Sequence, residues 1–255
     1  MTRDETASFG APRRLTDRSA STIPGPTSFD VEIEGSQKRI VIRVLIVFVF
    51  GYLVGSIPTG LWVGKIVGGV DVRTIGSGRT GATNVLRSLG PAAAVAVLVV
   101  DFVKGTVPVV AVGLATGNEY LAGLAGIAAV VGHIWPIFAG FRGGRGVATA
   151  GGALAPLVPF AVLVSFAVMI ALVAVTRFVS LGSITAAALV PIVVVLLRGH
   201  VAPNSDAGIL LGFVAGALIV IMHAENLGRL LHGREAKFGQ KAVVPKAQPE
   251  TPRAS

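Results

Sequence analysis

The sequence contains no cysteine among its 255 residues. Disulfide frameworks, thiolate zinc sites and thioester intermediates on the protein are therefore excluded. Charged residues are also scarce: they make up 14% of the chain, against roughly 25% in an ordinary soluble domain. Hydrophobic residues make up 53%, and the mean hydropathy is +0.76. A soluble globule cannot bury so much apolar surface, so the composition predicts a polytopic membrane protein.

The two ends of the chain lack apolar runs. Residues 1–39 carry six basic and six acidic residues and three prolines, which predicts a disordered polar tail. A cleavable signal peptide is not expected, because no apolar stretch of 7–15 residues lies near the start. Residues 239–255 are similarly polar and are predicted to be a second disordered tail, which leaves residues 40–238 as the membrane domain.

Apolar segments fill the region between the tails, and we expect each to be a helix. They are Ile40–Pro58, Pro91–Thr116, Tyr120–Phe138, Val147–Thr176, Phe178–Leu197 and Ala207–Met222. A span needs about 20 residues, so Val147–Thr176 is too long for one and is expected to break near Pro156. Counting it as two gives seven segments, and counting it as one gives six.

The distribution of basic residues favours seven segments over six. Alternate loops and the C-terminus hold thirteen Lys and Arg residues, whereas the loops between them hold only Arg198. Because Lys and Arg concentrate on the cytoplasmic side, this split predicts an all-α protein with seven transmembrane helices and a cytoplasmic C-terminus. Lys38, Arg39 and Arg43 disagree, since they flank the first span on its outer side. The net charge of +9 is attributed to these loops and not to nucleic-acid binding.

Polar residues concentrate in three clusters on the predicted cytoplasmic side, residues 55–84, 132–149 and 223–237. In the second, Gly143, Gly144 and Gly146 permit positive φ and close approach of an anion to the backbone. A helix beginning near Val147 would add N-terminal N–H groups, and Arg145 would add a guanidinium that matches phosphate. A phosphate cradle and a flexible basic turn explain this pattern equally well.

The other clusters are ambiguous by themselves. Ser56, next to Pro58, is a hydroxyl at an expected helix break, although a bond to a backbone carbonyl is the commoner role. His223 and Asn226 lie three residues apart on one helix face, where a histidine can bind a ligand or simply sit at the headgroup boundary.

Two charged residues fall inside the second span. Asp101 and Lys104 are three residues apart and are expected to pair with one another, with substrate contact as the second interpretation. No cysteine, no His-x-x-x-His pattern and scattered carboxylates argue against a metal site, and no cofactor is expected.

Together the three clusters resemble the motifs of the PlsY family, bacterial acyl-phosphate:glycerol-3-phosphate acyltransferases. The first motif is matched by Ser56, Pro58, Lys65, Asp71, Arg73, Gly76, Ser77, Gly78, Gly81, Ala82, Thr83, Asn84 and Arg87. The second is matched by Gly132, His133, Pro136 and residues 141–149. The third is matched by His223, Asn226, Arg229, Leu230, Glu235 and Lys237. Asp101, Lys104 and Gly105, and residues 180–183, also recur in that family, and the resemblance covers residues 45–239.

The resemblance implies a seven-helix enzyme of the bacterial inner membrane with cytoplasmic active-site loops. It would transfer a fatty acyl group from acyl phosphate to the 1-hydroxyl of glycerol 3-phosphate, giving lysophosphatidate and phosphate in phospholipid synthesis. Its partners would be these two substrates, the lipid bilayer and the upstream enzyme that makes acyl phosphate.

The resemblance also suggests roles for particular residues. The catalytic candidates are Ser56, Arg73, His223 and Asn226. Among them, Ser56 would help to hold acyl phosphate, Arg73 would bind the phosphate of glycerol 3-phosphate, and the other two would orient the glycerol. The candidates for substrate and phosphate binding are Gly143, Gly144, Arg145, Gly146, Asn84, Lys104 and Ser183.

The chain departs from the family pattern in two places. Arg142 and Arg145 stand where the family usually has lysine, and Arg79 stands where it usually has asparagine. A transporter of a phosphorylated or anionic solute is the alternative function, favoured by interrupted helices and by the intramembrane pair Asp101 and Lys104. The absence of a repeated half and the one-sided position of the polar clusters argue against it.

Overall fold

The computed structural model describes residues 28–198 and 206–240, and no β-strand occurs within these ranges. The helices are α1 (Ser28–Gly55), α2 (Thr59–Gly68), α3 (Ala82–Leu89), α4 (Pro91–Thr116), α5 (Glu119–Ile134), α6 (Val147–Leu154), α7 (Pro159–Thr176), α8 (Val179–Leu196), α9 (Asp206–Met222) and α10 (Ala224–Leu231). Short 3₁₀ turns cover Val72–Thr74 and Ile137–Ala139. The prediction of an all-helical chain is confirmed.

Five segments of the described chain are long and apolar enough to cross a membrane, or six if the bent pair α9 and α10 counts as one. The exact number of seven is therefore not confirmed. Helix α6 follows the predicted break but has only eight residues. At about 1.5 Å per residue such a helix cannot cross a bilayer.

Helix α1 begins at Ser28, so it includes residues 28–39, which the composition had placed in the disordered tail. Residues 1–27 and 241–255, the rest of the two predicted tails, lie outside the described residues. The chain divides into two units, Met1–Ile40 and Val41–Ser255, and all the candidate site residues belong to the second.

Small residues allow the central helices to pack closely. On α1, a Cβ added to Gly51 or Gly55 would overlap the backbone of Ala125 or Ala129 on α5. In the same way, Gly105 on α4 lies against the Thr149 carbonyl on α6. Such contacts are the usual means of helix association in membranes, where the solvent itself is apolar.

Two loops at one end of the helices carry most of the polar motifs. The first loop, residues 69–81, connects α2 to α3, and the glycine loop, residues 140–146, leads into α6. The Thr80 N–H donates to the Gly143 carbonyl at 3.5 Å, and the Arg73 guanidinium donates to the Ala139 carbonyl at 2.9 Å. The first two sequence clusters therefore meet at the same end of the molecule.

Candidate active site

The first loop is shaped by the buried side chain of Asn84. Its Nδ2 donates to the carbonyls of Val72, Ile75 and Arg79 at 2.8, 3.0 and 2.9 Å. Its Oδ1 accepts from the Ser77 N–H at 2.9 Å. The structure therefore engages both ends of this amide in loop folding, while the prediction that Asn84 contacts substrate stays a prediction.

Arg73 is held by neighbouring protein groups. Its Nε and Nη2 donate to the Asp71 carboxylate at 2.7–3.2 Å, and its Nη1 donates to the Ala139 carbonyl. The hydrogen bond from Arg73 holds the pKa of Asp71 below its usual value. Since each guanidinium nitrogen already donates once, two of its five N–H groups remain for a ligand.

The glycine loop differs from the sequence expectation in its backbone. Of its three candidate glycines only Gly146 has a positive φ, 87°. The N–H groups of Gly143 and Gly144 donate to the carbonyls of Ile134 and His133, both at 3.2 Å. Gly143 and Gly144 are instead needed for close packing, because a Cβ on either would overlap His133. Amides for an anion come from Arg145, Gly146 and the first turn of α6, which find no acceptor among the described residues.

Arg145 has a guanidinium without a protein partner in the described part of the chain, and its Nε is fully buried. Burial and the nearby Arg79 and Arg229 lower its pKa to about 10. The group is still protonated at neutral pH, and it lies beside the N-terminal end of α6. A cation with open donors in that position is suited to bind an anion.

His223 stands at the bend between α9 and α10 and is 3% exposed. Its Nδ1 lies 2.8 Å from the Ile219 carbonyl, which can only accept, so Nδ1 carries the proton. The Nε2 of the neutral ring is therefore an acceptor. Arg145 and Arg79 are close enough to influence this imidazole electrostatically, which places the third motif beside the glycine loop.

Asn226 and Arg229 are organised by Glu235. Asn226 Nδ2 donates to Glu235 Oε1 at 2.6 Å, and Arg229 Nε donates to Oε2 at 2.8 Å. Burial alone would raise the pKa of Glu235, but hydrogen bonds from Asn226 and Arg229 outweigh it and lower the pKa. Asn226 Oδ1 stays buried without a donor in the described residues, so it is open to a ligand.

Ser56 occupies the break between α1 and α2, where Pro58 interrupts the helix. It is 0% exposed, and its hydroxyl finds no partner among the described residues. It packs against Gly132, whose added Cβ would come within 3.0 Å of Ser56 Oγ. A buried hydroxyl without a hydrogen bond is costly, which makes it a candidate donor to a ligand.

The expected pair of Asp101 and Lys104 exists, with Lys104 Nζ 2.9 Å from Asp101 Oδ1. His133 joins them, its Nδ1 3.6 Å from the same oxygen. Lys104 Nζ also donates to the Ile57 carbonyl at 2.8 Å. Lys104 is thus bound by protein groups, and its predicted phosphate contact remains a prediction.

Ser183 is buried on α8 and lines an apolar cavity of about 70 Å³ between α6, α7, α8 and α9. The lining includes Val147, which follows Gly146, and Ile219, whose carbonyl binds His223. The cavity therefore begins next to the polar site. Ser183 therefore lines the apolar cavity, and its predicted contact with substrate remains a prediction.

Three contacts were not expected from the sequence: Asp71 with Arg73, Glu235 with Asn226 and Arg229, and His133 with Asp101 and the glycine loop. The first could have been found, because an acidic residue two positions before an arginine in a basic segment is a probable local partner. Glu235 lies only six and nine residues after Arg229 and Asn226, but beyond the end of α10, so helix periodicity does not predict these contacts. The contact of His133 with Asp101 joins two different helices and leaves no local signal.

These features define an integral membrane protein of packed helices with a cationic, glycine-rich cluster at one end. Residues 45–233 match the family described as glycerol-3-phosphate acyltransferase. Over 198 residues the chain is 43% identical to glycerol-3-phosphate acyltransferase 2 of Moorella thermoacetica, covering 78% of this chain and 99% of that one. The chain belongs to the glycerol-3-phosphate acyltransferase family, as its motifs indicated.

Solved structures support the same assignment. The chain is similar to PlsY, an integral membrane glycerol 3-phosphate acyltransferase, in its glycerol 3-phosphate form, with a TM-score of 0.71 and 40% identity. It is also similar to the lysophosphatidic acid form, with a TM-score of 0.70 and 39% identity. Each comparison covers 77% of this chain and 96% of the other. The membrane fold and the acyltransferase class are therefore established.

Proposed function

We propose that this acyltransferase takes its acyl group from acyl phosphate and attaches it to the 1-hydroxyl of glycerol 3-phosphate. The hydroxyl oxygen bonds to the acyl carbon, the bond from that carbon to the phosphate oxygen breaks, and lysophosphatidate and inorganic phosphate are released. The donor is a mixed anhydride and is already activated, so the transfer needs neither a covalent enzyme intermediate nor an added cofactor.

The observation that carries this proposal is Arg145, which has no partner among the described residues, beside a neutral His223 with an open Nε2. The arginine, with the amides that begin α6, supplies a site for the phosphate of glycerol 3-phosphate. The histidine Nε2 then accepts a hydrogen bond from the 1-hydroxyl of the glycerol, and the open Asn226 Oδ1 can accept one from the 2-hydroxyl. Either His223 Nε2 or a phosphate oxygen of the donor takes the hydroxyl proton.

The donor would lie on the other side of the glycine loop. Ser56, with its unpartnered hydroxyl, is our candidate to hold the acyl phosphate. The apolar cavity next to Val147 and Ile219 would take the first methylenes of the acyl chain, and the rest would lie in lipid. This arrangement fits a bacterial inner-membrane enzyme whose loops face the cytoplasm, where an acyl-phosphate-producing enzyme would supply the donor.

One assay tests the donor. Purified protein in detergent is mixed with glycerol 3-phosphate and either acyl phosphate or acyl-CoA, and lysophosphatidate is measured by mass spectrometry. Product from acyl phosphate alone is the expected result. Product from acyl-CoA alone would refute the choice of donor, and uptake of glycerol 3-phosphate into liposomes without acylation would favour a transporter.

A further inference from the structure

Three ionisable side chains lie buried between the Ser56 turn and the glycine loop, and the proposed reaction uses none of them. They are Asp101 and Lys104 on α4 and His133 on α5, which are 2%, 5% and 5% exposed. Lys104 Nζ and His133 Nδ1 lie 2.9 and 3.6 Å from Asp101 Oδ1. Asp101 therefore lies between a lysine in ion-pair contact and a histidine in looser contact, neither of them with hydrogen-bond geometry.

The lysine side of this group reaches the Ser56 turn. Lys104 Nζ donates to the carbonyl of Ile57 at 2.8 Å. That carbonyl also accepts the Thr59 N–H at 3.0 Å, and Pro58 in between has no N–H to offer. The ammonium thus fixes the backbone at the residue next to Ser56.

The histidine side reaches the glycine loop. The His133 carbonyl accepts the Gly144 N–H at 3.2 Å. The imidazole lies against the same glycine, since a Cβ added to Gly144 would overlap Nε2 and come within 2.9 Å of Cε1. The ring therefore fixes the position of the backbone at Gly144, immediately before Arg145.

A contribution to folding stability is a poor explanation for burying these three ionisable side chains together. Replacing a buried ion pair by apolar residues of similar volume is often neutral or stabilising, because desolvation of the charges offsets their attraction. Direct substrate binding is also a poor explanation, because Lys104 is already in contact with the Asp101 carboxylate and donates to the Ile57 carbonyl. Both ends of the group nevertheless contact backbone beside proposed ligand-binding residues.

We propose that Asp101, Lys104 and His133 form a positioning network that fixes the Ser56 turn and the glycine loop relative to one another. This inference rests on the proposed function, in which these two segments hold the two phosphorylated substrates. Correct spacing of two bound reactants contributes strongly to rate, and a misplacement of about 1 Å can cost roughly 10²-fold. The network would set that spacing through His133 on one side and Lys104 on the other.

The histidine side is tested by a double-mutant cycle with Gly144→Ala and His133→Ala. We expect each single change to lower kcat/KM for glycerol 3-phosphate by about tenfold, part of the roughly 10²-fold loss of rate available from misplacement. In the double variant the small residue at position 133 makes room for the new Cβ, so the two effects should be clearly less than additive. Additive effects would show that Gly144→Ala acts on the substrate and not on the ring, and would overturn this side of the network.

The lysine side is tested by Lys104→Met, which keeps the length of the side chain and removes its donor. We expect the KM for acyl phosphate to rise while the KM for glycerol 3-phosphate stays nearly constant, the reverse of His133→Ala. Asp101→Asn should raise both, because Asp101 holds both partners. Unchanged kcat and unchanged KM values in all three folded variants would overturn the proposal.

Val112→Ala is the matched control, since it removes buried volume from α4 far from the network. It should lower thermal stability without moving either KM. If His133→Ala does not fold, His133→Asn replaces it, because the shorter side chain also clears position 144. Calorimetric binding of glycerol 3-phosphate to the wild type and to His133→Ala tests the network separately from the proposed acyl donor. Weaker binding by the variant supports the network even if acyl phosphate is not the donor, and equal binding refutes it.

Discussion

The first loop and the glycine loop both present an arginine from a motif, but the two guanidinium groups have different surroundings. Arg73 is bound to Asp71 and to the Ala139 carbonyl, so most of its donors act within the protein. Arg145 has no partner among the described residues and sits beside free amides at the start of α6. We therefore expect Arg73 to shape the site and Arg145 to bind the anion.

Arg145→Gln should have the largest effect. A hydrogen bond to a charged group is worth about 1.5–3 kcal/mol, so we expect kcat/KM for glycerol 3-phosphate to fall by roughly 10–10²-fold. Arg145→Lys retains the charge that the family usually has there and should stay within about tenfold of the wild type. Steady-state kinetics of both variants measures this, and a normal Arg145→Gln enzyme would remove Arg145 from the phosphate site.

Arg73→Lys should have the next largest effect, because a lysine cannot reproduce the forked contact with Asp71 and also reach Ala139. We expect a loss of about tenfold in kcat/KM and a lower unfolding temperature. A second variant, Asp71→Asn, distinguishes the two possible roles of Arg73. If Arg73 shapes the loop, this change also lowers activity; if Arg73 binds phosphate directly, removal of the competing carboxylate should lower the KM for glycerol 3-phosphate.

The fold and the site were not equally predictable from the sequence. Hydrophobic runs placed every long helix, and the break between α6 and α7 followed from the length of Val147–Thr176 and Pro156. The exact number of spans was not confirmed, because composition does not show that α6 is short and packs against α4. The start of α1 was missed because residues 28–39 form a helix despite a polar composition typical of a tail.

The motifs identified the site residues, but not what each one contacts. Asn84 and Arg73 were expected at the substrate, and the structure shows their hydrogen bonds within the first loop. Gly143 and Gly144 were expected to supply amides to an anion, and in the structure those amides bind carbonyls of residues 133 and 134. A pattern of residue types cannot reveal such pairings, because they depend on which distant carbonyl the fold brings within reach.

Arg79→Asn should have a small effect, since asparagine is usual at this position in the family. Arg79 is close enough to Arg145 to lower its pKa and to add positive potential at the site. We expect less than about a threefold rise in the KM for glycerol 3-phosphate at low salt, which disappears near 0.1 M, where screening acts over about 10 Å. Initial rates at both ionic strengths measure it, and an inactive variant would place Arg79 in the phosphate site itself.

The smallest expected effect concerns pH and Asp71. The hydrogen bond from Arg73 lowers the pKa of Asp71 in the folded protein, so the carboxylate contributes stability at pH values above its ordinary pKa of 3.8. That contribution is lost as the pH falls through the lower, folded-state pKa, because the protonated acid can no longer hold the guanidinium. Asp71→Asn lacks the carboxylate at every pH, so the wild type should unfold at a higher temperature at neutral pH and the difference should shrink below pH 3.8. Thermal unfolding in detergent across this range measures the difference. A gap between the two proteins that does not change with pH would mean that the pairing of Asp71 with Arg73 contributes nothing to folding, and the contrast between the two arginines would then rest on Arg145 alone.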